Sequence, residues 1–217
     1  MEKLIETVRH IRLFQGIAQD DLVRMLECLS ARTRTYRKND VILLAGDAVN
    51  YVWLILAGVV DLVREDIDGD ATVLIKYSAP EIFGEVFACA GIKHSPVTIM
   101  ASEECQLLLM NYRKIITSCS NACPFHARLI ENMLSLLAQK CMTLRQKLDI
   151  LSGRTIRDKI LYFLDAQRGS ASKFTVSYNR EEMAHYLYVD RSALSKELSR
   201  MQNEGLIRFR RNEFEIL

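Results

Sequence analysis

The chain has 217 residues, 49% of them apolar and 26% charged, with a formal net charge of +2. That is the composition of an ordinary globular protein, of a length that suits one large domain or two small ones. No run of about 18 apolar residues is present, which excludes a membrane-spanning helix. The first residues, MEKLIETVRHIRLF, are amphipathic and charged rather than signal-like, so a cytoplasmic location with no membrane partner is expected.

Residues 1–30 read as helical, with a short helix opening at Gln19 or Asp20 and placing Leu22, Met25, Leu26 and Leu29 on one apolar face. From about Arg34 the texture becomes rich in Val, Ile, Leu and aromatics. Turn signals fall at Asn39-Asp40, Gly46-Asp47, Gly58, Asp68-Gly69 and Gly84. Short strands at intervals of about ten residues predict an antiparallel sandwich or roll. Asp68-Gly69, flanked by apolar runs, is the strongest hairpin signal. Strand texture continues through Val97–Met100 and Gln106–Met110.

The segment from about Pro124 to Leu151 has no internal Gly or Pro. Its Ile130, Leu134, Leu137, Cys141, Leu144, Leu148 and Leu151 step by alternating fours and threes, the spacing of a two-helix seam. Leu129, Met133 and Leu136 form a second stripe beside it. A helix with two apolar faces packs on two things, here its own domain and, through the seam, a second copy of the chain. The competing reading is a long helix buried within one domain. Ser152-Gly153 interrupts the pattern, and Gly153 is the expected hinge. A new helix opens at Thr155 with Ile156, Ile160, Phe163 and Leu164 as its apolar face. The expected divisions are 1–123, 124–152 and 153–217. The last division is basic, with 12 Lys and Arg against 9 Asp and Glu, whereas residues 1–152 hold 17 against 18. A duplex binder needs such local basic groups to displace counterions.

Asn179 to Ile207 reads as two short helices around a tight turn. Asn179 is an N-cap and Glu182 completes its capping box; Met183, Ala184 and Leu187 face inward. Asp190 caps the second helix, whose Leu194, Leu198 and Met201 face the core. Arg191, Ser192, Ser195, Lys196 and Ser199 are left pointing outward, as a cation-and-hydroxyl strip suited to base edges in a major groove. The bland alternative is a solvated helix face, but the strip from 191 to 196 carries no carboxylate. Asn179 and Arg180 are placed for phosphate. Tyr188 stands where such a turn often carries Gly, at an expected cost on the order of 1 kcal/mol if φ is positive. The final residues alternate about Arg211-Asn212 like a small hairpin wing.

On these motifs, GDAVNYVWLILAGVVDLV, FGEVF, the seam helix and VDRSALSKELSRMQNEGLI, the chain resembles the Crp/Fnr superfamily of transcription factors along nearly its whole length. The resemblance implies an α+β protein: an N-terminal double-stranded β-helix (jelly-roll) sensor domain, a long dimerisation helix and a C-terminal winged helix-turn-helix. It implies a homodimer on near-palindromic double-stranded promoter DNA, with RNA polymerase as a further partner, and carries base contact onto Arg191, Ser192, Ser195 and Lys196. Activator and repressor are not separated by it.

In cyclic-nucleotide members, the segment after FGE ends in an Arg-Ser pair whose Arg neutralises the cyclic phosphate. Here Gly84 and Glu85 are kept, but the Arg and Ser positions hold Ser95 and Pro96. A buried phosphate without its Arg is an uncompensated charge, which speaks against a cyclic nucleotide. The six cysteines include no CxxC pair and no N-terminal cluster, which speaks against zinc and an iron–sulfur cluster. Cys28, Cys89, Cys105 and Cys141 are expected to act as small hydrophobes. His94 or His126 could ligate haem, though a lone His is more often a packed or surface residue. No metal site is expected and the cofactor stays unidentified. The effector, a small molecule or a redox signal, is expected against Phe83, Gly84, Glu85, Ser95 and Thr98, with Leu137 and Cys141 from the helix. A cupin-type metalloenzyme needs converging histidines that four His residues do not supply, so no enzyme is expected. A signalling module acting on a partner protein would not require the helix pair.

Overall fold

The computed structural model describes residues 2–65, 71–117 and 124–217. The chain divides into two compact units, residues 1–137 and 138–217. No helix among the described residues is long and apolar enough to cross a membrane.

The N-terminal unit opens with α1 (Glu2–Val8), a 3-10 turn at Arg12–Phe14 and α2 (Gln19–Cys28). Leu22, Met25, Leu26 and Leu29 are buried, as the helical spacing predicts. Two antiparallel sheets follow. One runs β1 (Arg32–Tyr36), β8 (Cys105–Asn111), β3 (Tyr51–Ala57), β6 (Ile82–Phe83). The other runs β2 (Val41–Leu43), β7 (Thr98–Ala101), β4 (Val59–Glu65), β5 (Ala71–Ser78). This is the roll expected from the turn spacing. Strands β4 and β5 pair antiparallel from Val59↔Ser78 to Glu65↔Ala71, while the Asp68-Gly69 turn lies outside the described residues. β3 and β8 are buried in runs rather than in alternation. A strand covered on both faces shows that pattern. Leu13, Phe14 and Leu22, with Leu129 and Met133 of the long helix, belong to the same core as these strands.

Two one-turn helices were not foreseen in the sequence: α3 (Glu85–Cys89) and α4 (Tyr112–Ile116). Gly84 starts α3 from a left-handed φ of 82°, and a Cβ there would stand 2.6 Å from ring atoms of Trp53. Trp53 in turn stacks on Phe83, with centroids 5.3 Å apart and planes within 2°. Gly84→Ala therefore carries both backbone strain and a ring clash, and is expected to cost about 1–3 kcal/mol. Because Trp53 is the sole tryptophan, its fluorescence during urea unfolding reads the loss directly. An unchanged midpoint and spectrum would remove this account of the glycine.

Helix α5 (Pro124–Leu151) has the bounds expected from the sequence. Leu129 and Met133 are buried in the N-terminal core and Leu136 packs against it. The other stripe is open: Leu134, Leu144 and Leu148 are 62%, 63% and 68% exposed, and Cys141 is exposed. Ile130, Leu137 and Leu151 are half-buried.

The C-terminal unit takes the end of α5, then α6 (Ile156–Arg168), β9 (Lys173–Thr175), α7 (Arg180–Leu187), α8 (Arg191–Asn203), β10 (Ile207–Arg210) and β11 (Glu213–Ile216). Thr155 caps α6 in a capping box with Asp158. Ile160, Phe163 and Leu164 are buried with Ile150 of α5 in the core of this unit. Gly153 lies inside the unit, and a Cβ there would stand 2.8 Å from the Lys159 amide nitrogen. The glycine thus permits a close approach of α6 to the end of α5. The wing is a three-stranded sheet, β10-β11-β9. Its third strand, β9, pairs Phe174 with Phe214.

Candidate nucleic-acid interface

Helix α7 begins where Asn179 Oδ1 accepts the amides of Glu181 and Glu182 (both 2.9 Å), while the Glu182 carboxylate accepts the Asn179 amide at 2.8 Å. This is the reciprocal box the sequence predicted. Met183, Ala184 and Leu187 are buried. The helix stops at Tyr188, which takes the left-handed conformation, φ 51° and ψ 53°. Tyr188 stacks on His185, and Lys147 Nζ lies 5.6 Å from its ring and 5.0 Å from that of Tyr186. A cation over two rings offsets part of the strain, about 0.5–1 kcal/mol at an exposed site. Two opposed outcomes follow. Tyr188→Gly relieves the backbone and loses the cation contact, for a net change within about 1 kcal/mol. Tyr188→Ala keeps the strain and loses the contact, so its urea midpoint falls below that of the glycine variant. An alanine variant at least as stable as the glycine one would refute the balance.

Asp190 opens α8 by accepting the amides of Ser192 (2.8 Å) and Ala193 (3.0 Å) and the Ser192 hydroxyl. The hydroxyl bond and the two amides hold the Asp190 carboxyl below the usual carboxylate range. The cap's contribution is therefore present above the ordinary aspartate range near pH 4 and is lost as pH falls through the lower folded value. Leu194, Leu198 and Met201 are fully buried; Arg191, Ser192, Ser195, Lys196 and Ser199 are exposed. The outward strip is continuous. Ser195 Oγ donates to the Arg191 carbonyl and Ser199 Oγ to the Ser195 carbonyl, each at 3.0 Å. With Ser192 bonded to Asp190, all three hydroxyls keep lone pairs facing outward for donors such as adenine N6 or cytosine N4.

Behind this strip, Arg157 of α6 donates to Glu197 (2.6 Å) and, through both terminal nitrogens, to Glu204 (2.6 and 3.1 Å). The hydrogen bond from Arg157 is the main reason the Glu204 carboxyl lies below its ordinary range. Arg200 joins Glu204 at 2.9 Å. Glu197 and Glu204 are thus turned onto α6, which leaves the outward strip free of carboxylates. On the wing side, a cleft of about 870 Å³ is lined by Asn179, Arg180, Arg191, Arg210 and Arg211, together with two glutamates. Arg210 and Arg211 were missed in the sequence. Their signal was available, since two adjacent cations sit at the tip of the alternating terminal hairpin.

The roll places the candidate effector residues as follows. Phe83 is buried between Trp53 and Tyr77, which stacks on it at 5.9 Å. Glu85 is buried at the start of α3; burial first, and then the Glu85 and Glu81 carboxylates, push the Tyr77 phenol up to about 12. Ser95 and Thr98 are also buried. Ser95 Oγ donates to the Val97 carbonyl at 2.6 Å and Thr98 Oγ1 accepts the Ala45 amide at 3.2 Å. Leu137 packs on the N-terminal core, whereas Cys141 is exposed in the C-terminal unit. Cys105 is the buried small hydrophobe expected, Cys28 is half-buried, and Cys89 is exposed, so the hydrophobe reading does not extend to Cys89 or Cys141. Cys119 and Cys123 lie outside the described residues. His94 is exposed with its ring on the Gly46 carbonyl, and His126 is buried beside the Lys114 carbonyl. Among the described residues no group of three His, Cys, Asp or Glu could hold a metal.

Two family models match this chain: the cyclic nucleotide-binding domain over residues 33–121 and the Crp-like helix-turn-helix domain over residues 159–217. The cyclic AMP receptor protein of Thermus thermophilus is 25% identical over 198 residues, covering 90% of this chain and 88% of its own. The chain belongs to the Crp/Fnr family of transcriptional regulators. The fold agrees. The Thermus thermophilus catabolite activator protein superposes with a TM-score of 0.52 at 22% identity, over 95% of this chain and 93% of its own. DNR from Pseudomonas aeruginosa gives 0.56 at 17% identity, over 100% and 95%. In this Crp/Fnr regulator the roll is therefore the cyclic nucleotide-binding-like domain, and α7, α8 and the wing are the DNA-binding domain.

Proposed function

We propose that this Crp/Fnr regulator binds near-palindromic promoter DNA as a homodimer, with α8 in the major groove and the wing on the adjacent backbone. The observation that carries the reading is the exposed strip Arg191, Ser192, Ser195, Lys196 and Ser199 on a helix whose opposite face is fully buried. A symmetric dimer offers two such helices to half-sites about one helical turn apart. The open α5 stripe of Leu134, Leu144 and Leu148, continued by Ile130, Leu137, Cys141 and Leu151, is the surface assigned to dimerisation. Asn179, Arg210 and Arg211 are assigned to contact with phosphate. RNA polymerase is the further partner and the cytoplasm the place of action. The divisions 1–123, 124–152 and 153–217 are kept as the sensing, dimerising and DNA-binding segments.

The regulating signal is assigned to the roll, around Phe83, Gly84, Glu85, Ser95, Thr98 and Leu137. A cyclic nucleotide is disfavoured there. Ser95 has its hydroxyl committed to the Val97 carbonyl, and the position expected to hold Arg is Ser95 itself. An effector shifts DNA affinity only if it binds one arrangement of the dimer more tightly than another.

The test is duplex binding across salt. A pool of duplexes with a randomised pseudo-palindromic core is bound by the full chain between 50 and 200 mM salt, the range over which phosphate contacts lose several decades of affinity. The selected duplex should show log K falling with log salt at about −0.9 per neutralised phosphate. Selection of no sequence, with no salt slope, would defeat the proposal.

A further inference from the structure

Arg180 stands at the first position of α7, where a side chain could meet a phosphate, yet it turns into the wing. Its guanidinium carbon lies 5.0 Å from the ring centroid of Phe209 and 5.1 Å from that of Phe214. These rings stack on one another at 5.7 Å, one from each strand of the terminal hairpin. Arg180 Nη2 donates to the Arg211 carbonyl at 2.6 Å. Nη1 is closed to solvent with no acceptor. One amino group is therefore committed to the wing and the other is closed to solvent. Burial also draws the guanidinium below its ordinary pKa, as expected of a cation removed from water. The carbonyl it holds belongs to Arg211, which has a left-handed φ of 54° at the tip of the hairpin. A non-glycine residue keeps such a conformation only when its surroundings impose it.

We infer that Arg180 is a positioning residue that clamps the wing hairpin onto the start of the helix-turn-helix and so aims Arg210 and Arg211 at the DNA backbone. The inference rests on the DNA-binding reading above and departs from it at one point: Arg180 acts through the wing and not by touching phosphate. Lysine cannot replace it. An ammonium is a point charge without the planar fork that stacks on rings and donates to a carbonyl together.

The test uses the full chain and the duplex selected above. Arg180→Lys is measured alone, in an Arg210→Ala/Arg211→Ala background and in a Ser192→Ala background. Amide exchange of residues 207–216 is followed in the free protein. A clamp predicts a roughly three- to thirtyfold loss of affinity for Arg180→Lys in the otherwise native chain. That loss should fall to within about twofold when Arg210 and Arg211 are removed, and persist in full beside Ser192→Ala, the signature of coupling to the wing alone. Hairpin amides should exchange about tenfold faster while the melting midpoint of the whole chain moves little. Native affinity and salt slope in Arg180→Lys, or an equal loss in both backgrounds, would overturn the inference in favour of a direct charge contact. Unchanged hairpin exchange would overturn it as well. Should the wild-type chain select no duplex, the DNA-binding reading falls, and the exchange measurement still decides the clamp.

Discussion

Leu144→Glu is expected to convert the dimer to a folded monomer. Leu144 is 63% exposed in the protomer, as are Leu134 and Leu148 to a similar degree, so a carboxylate there meets water and not a core. Glu and Leu have similar helix propensities, and an exposed substitution of this kind changes protomer stability by about 0.5 kcal/mol or less. Closing the seam reverses the balance. Each leucine, about two-thirds exposed, contributes roughly 1–2 kcal/mol when covered. Symmetry introduces the change twice. Burying an unpaired carboxylate costs several kcal/mol at each copy, so dimer affinity should fall by about four decades or more. Sedimentation velocity reads the mass, far-UV circular dichroism reads the fold, and duplex binding should drop with the mass because one recognition helix reads only one half-site. Met133→Glu is the contrasting variant. Met133 lies in the N-terminal core, and the same charge there should unfold that unit. A Leu144→Glu chain that stays dimeric would show that the copies meet on some other surface.

The two variants also indicate what could be read in the sequence. The bounds of α5 and its two stripes were legible because no Gly or Pro interrupts the helix and each stripe repeats for several turns. The caps at Thr155, Asn179 and Asp190 were legible because side-chain capping is a local interaction. The outward strip of α8 followed from its inward one. What escaped was short or tertiary. Helices α3 and α4 each make little more than one turn, too few residues to show a period. The choice at Tyr188 between another turn and a left-handed residue depended on Lys147, which comes from a different helix. The turn of Arg180 onto the wing required two phenylalanines far down the chain to be brought around it by the pairing of β10 with β11. In the roll, the residues Ser95 and Pro96 at the expected Arg-Ser positions could be read from the sequence, but the closing of the Ser95 hydroxyl onto Val97 is a matter of loop geometry.

Arg191→Ala should be the most damaging single change to sequence recognition that leaves the fold intact. The side chain is exposed at the first turn of α8, so its removal takes little from the core. The cap that starts the helix is made by Asp190 to the amides of Ser192 and Ala193 and does not involve the arginine side chain. An arginine fork on guanine O6 and N7 is worth about 1–3 kcal/mol against the wrong base. A palindrome presents it twice, which gives roughly 2–6 kcal/mol, or about one and a half to four decades of affinity. The loss should be concentrated at one symmetry-related pair of positions: base substitutions there, costly for the native chain, should become nearly neutral for Arg191→Ala, while the other positions keep their preferences. Arg210→Ala provides the comparison, because loss of a charge that meets only phosphate weakens all sequences alike and reduces the salt slope by about two units, one from each copy. Selection from a randomised half-site, repeated with each variant, separates the two behaviours. If Arg191→Ala weakened every sequence equally, Arg191 would be a backbone contact, and base reading would shift to Ser192, Ser195 and Lys196.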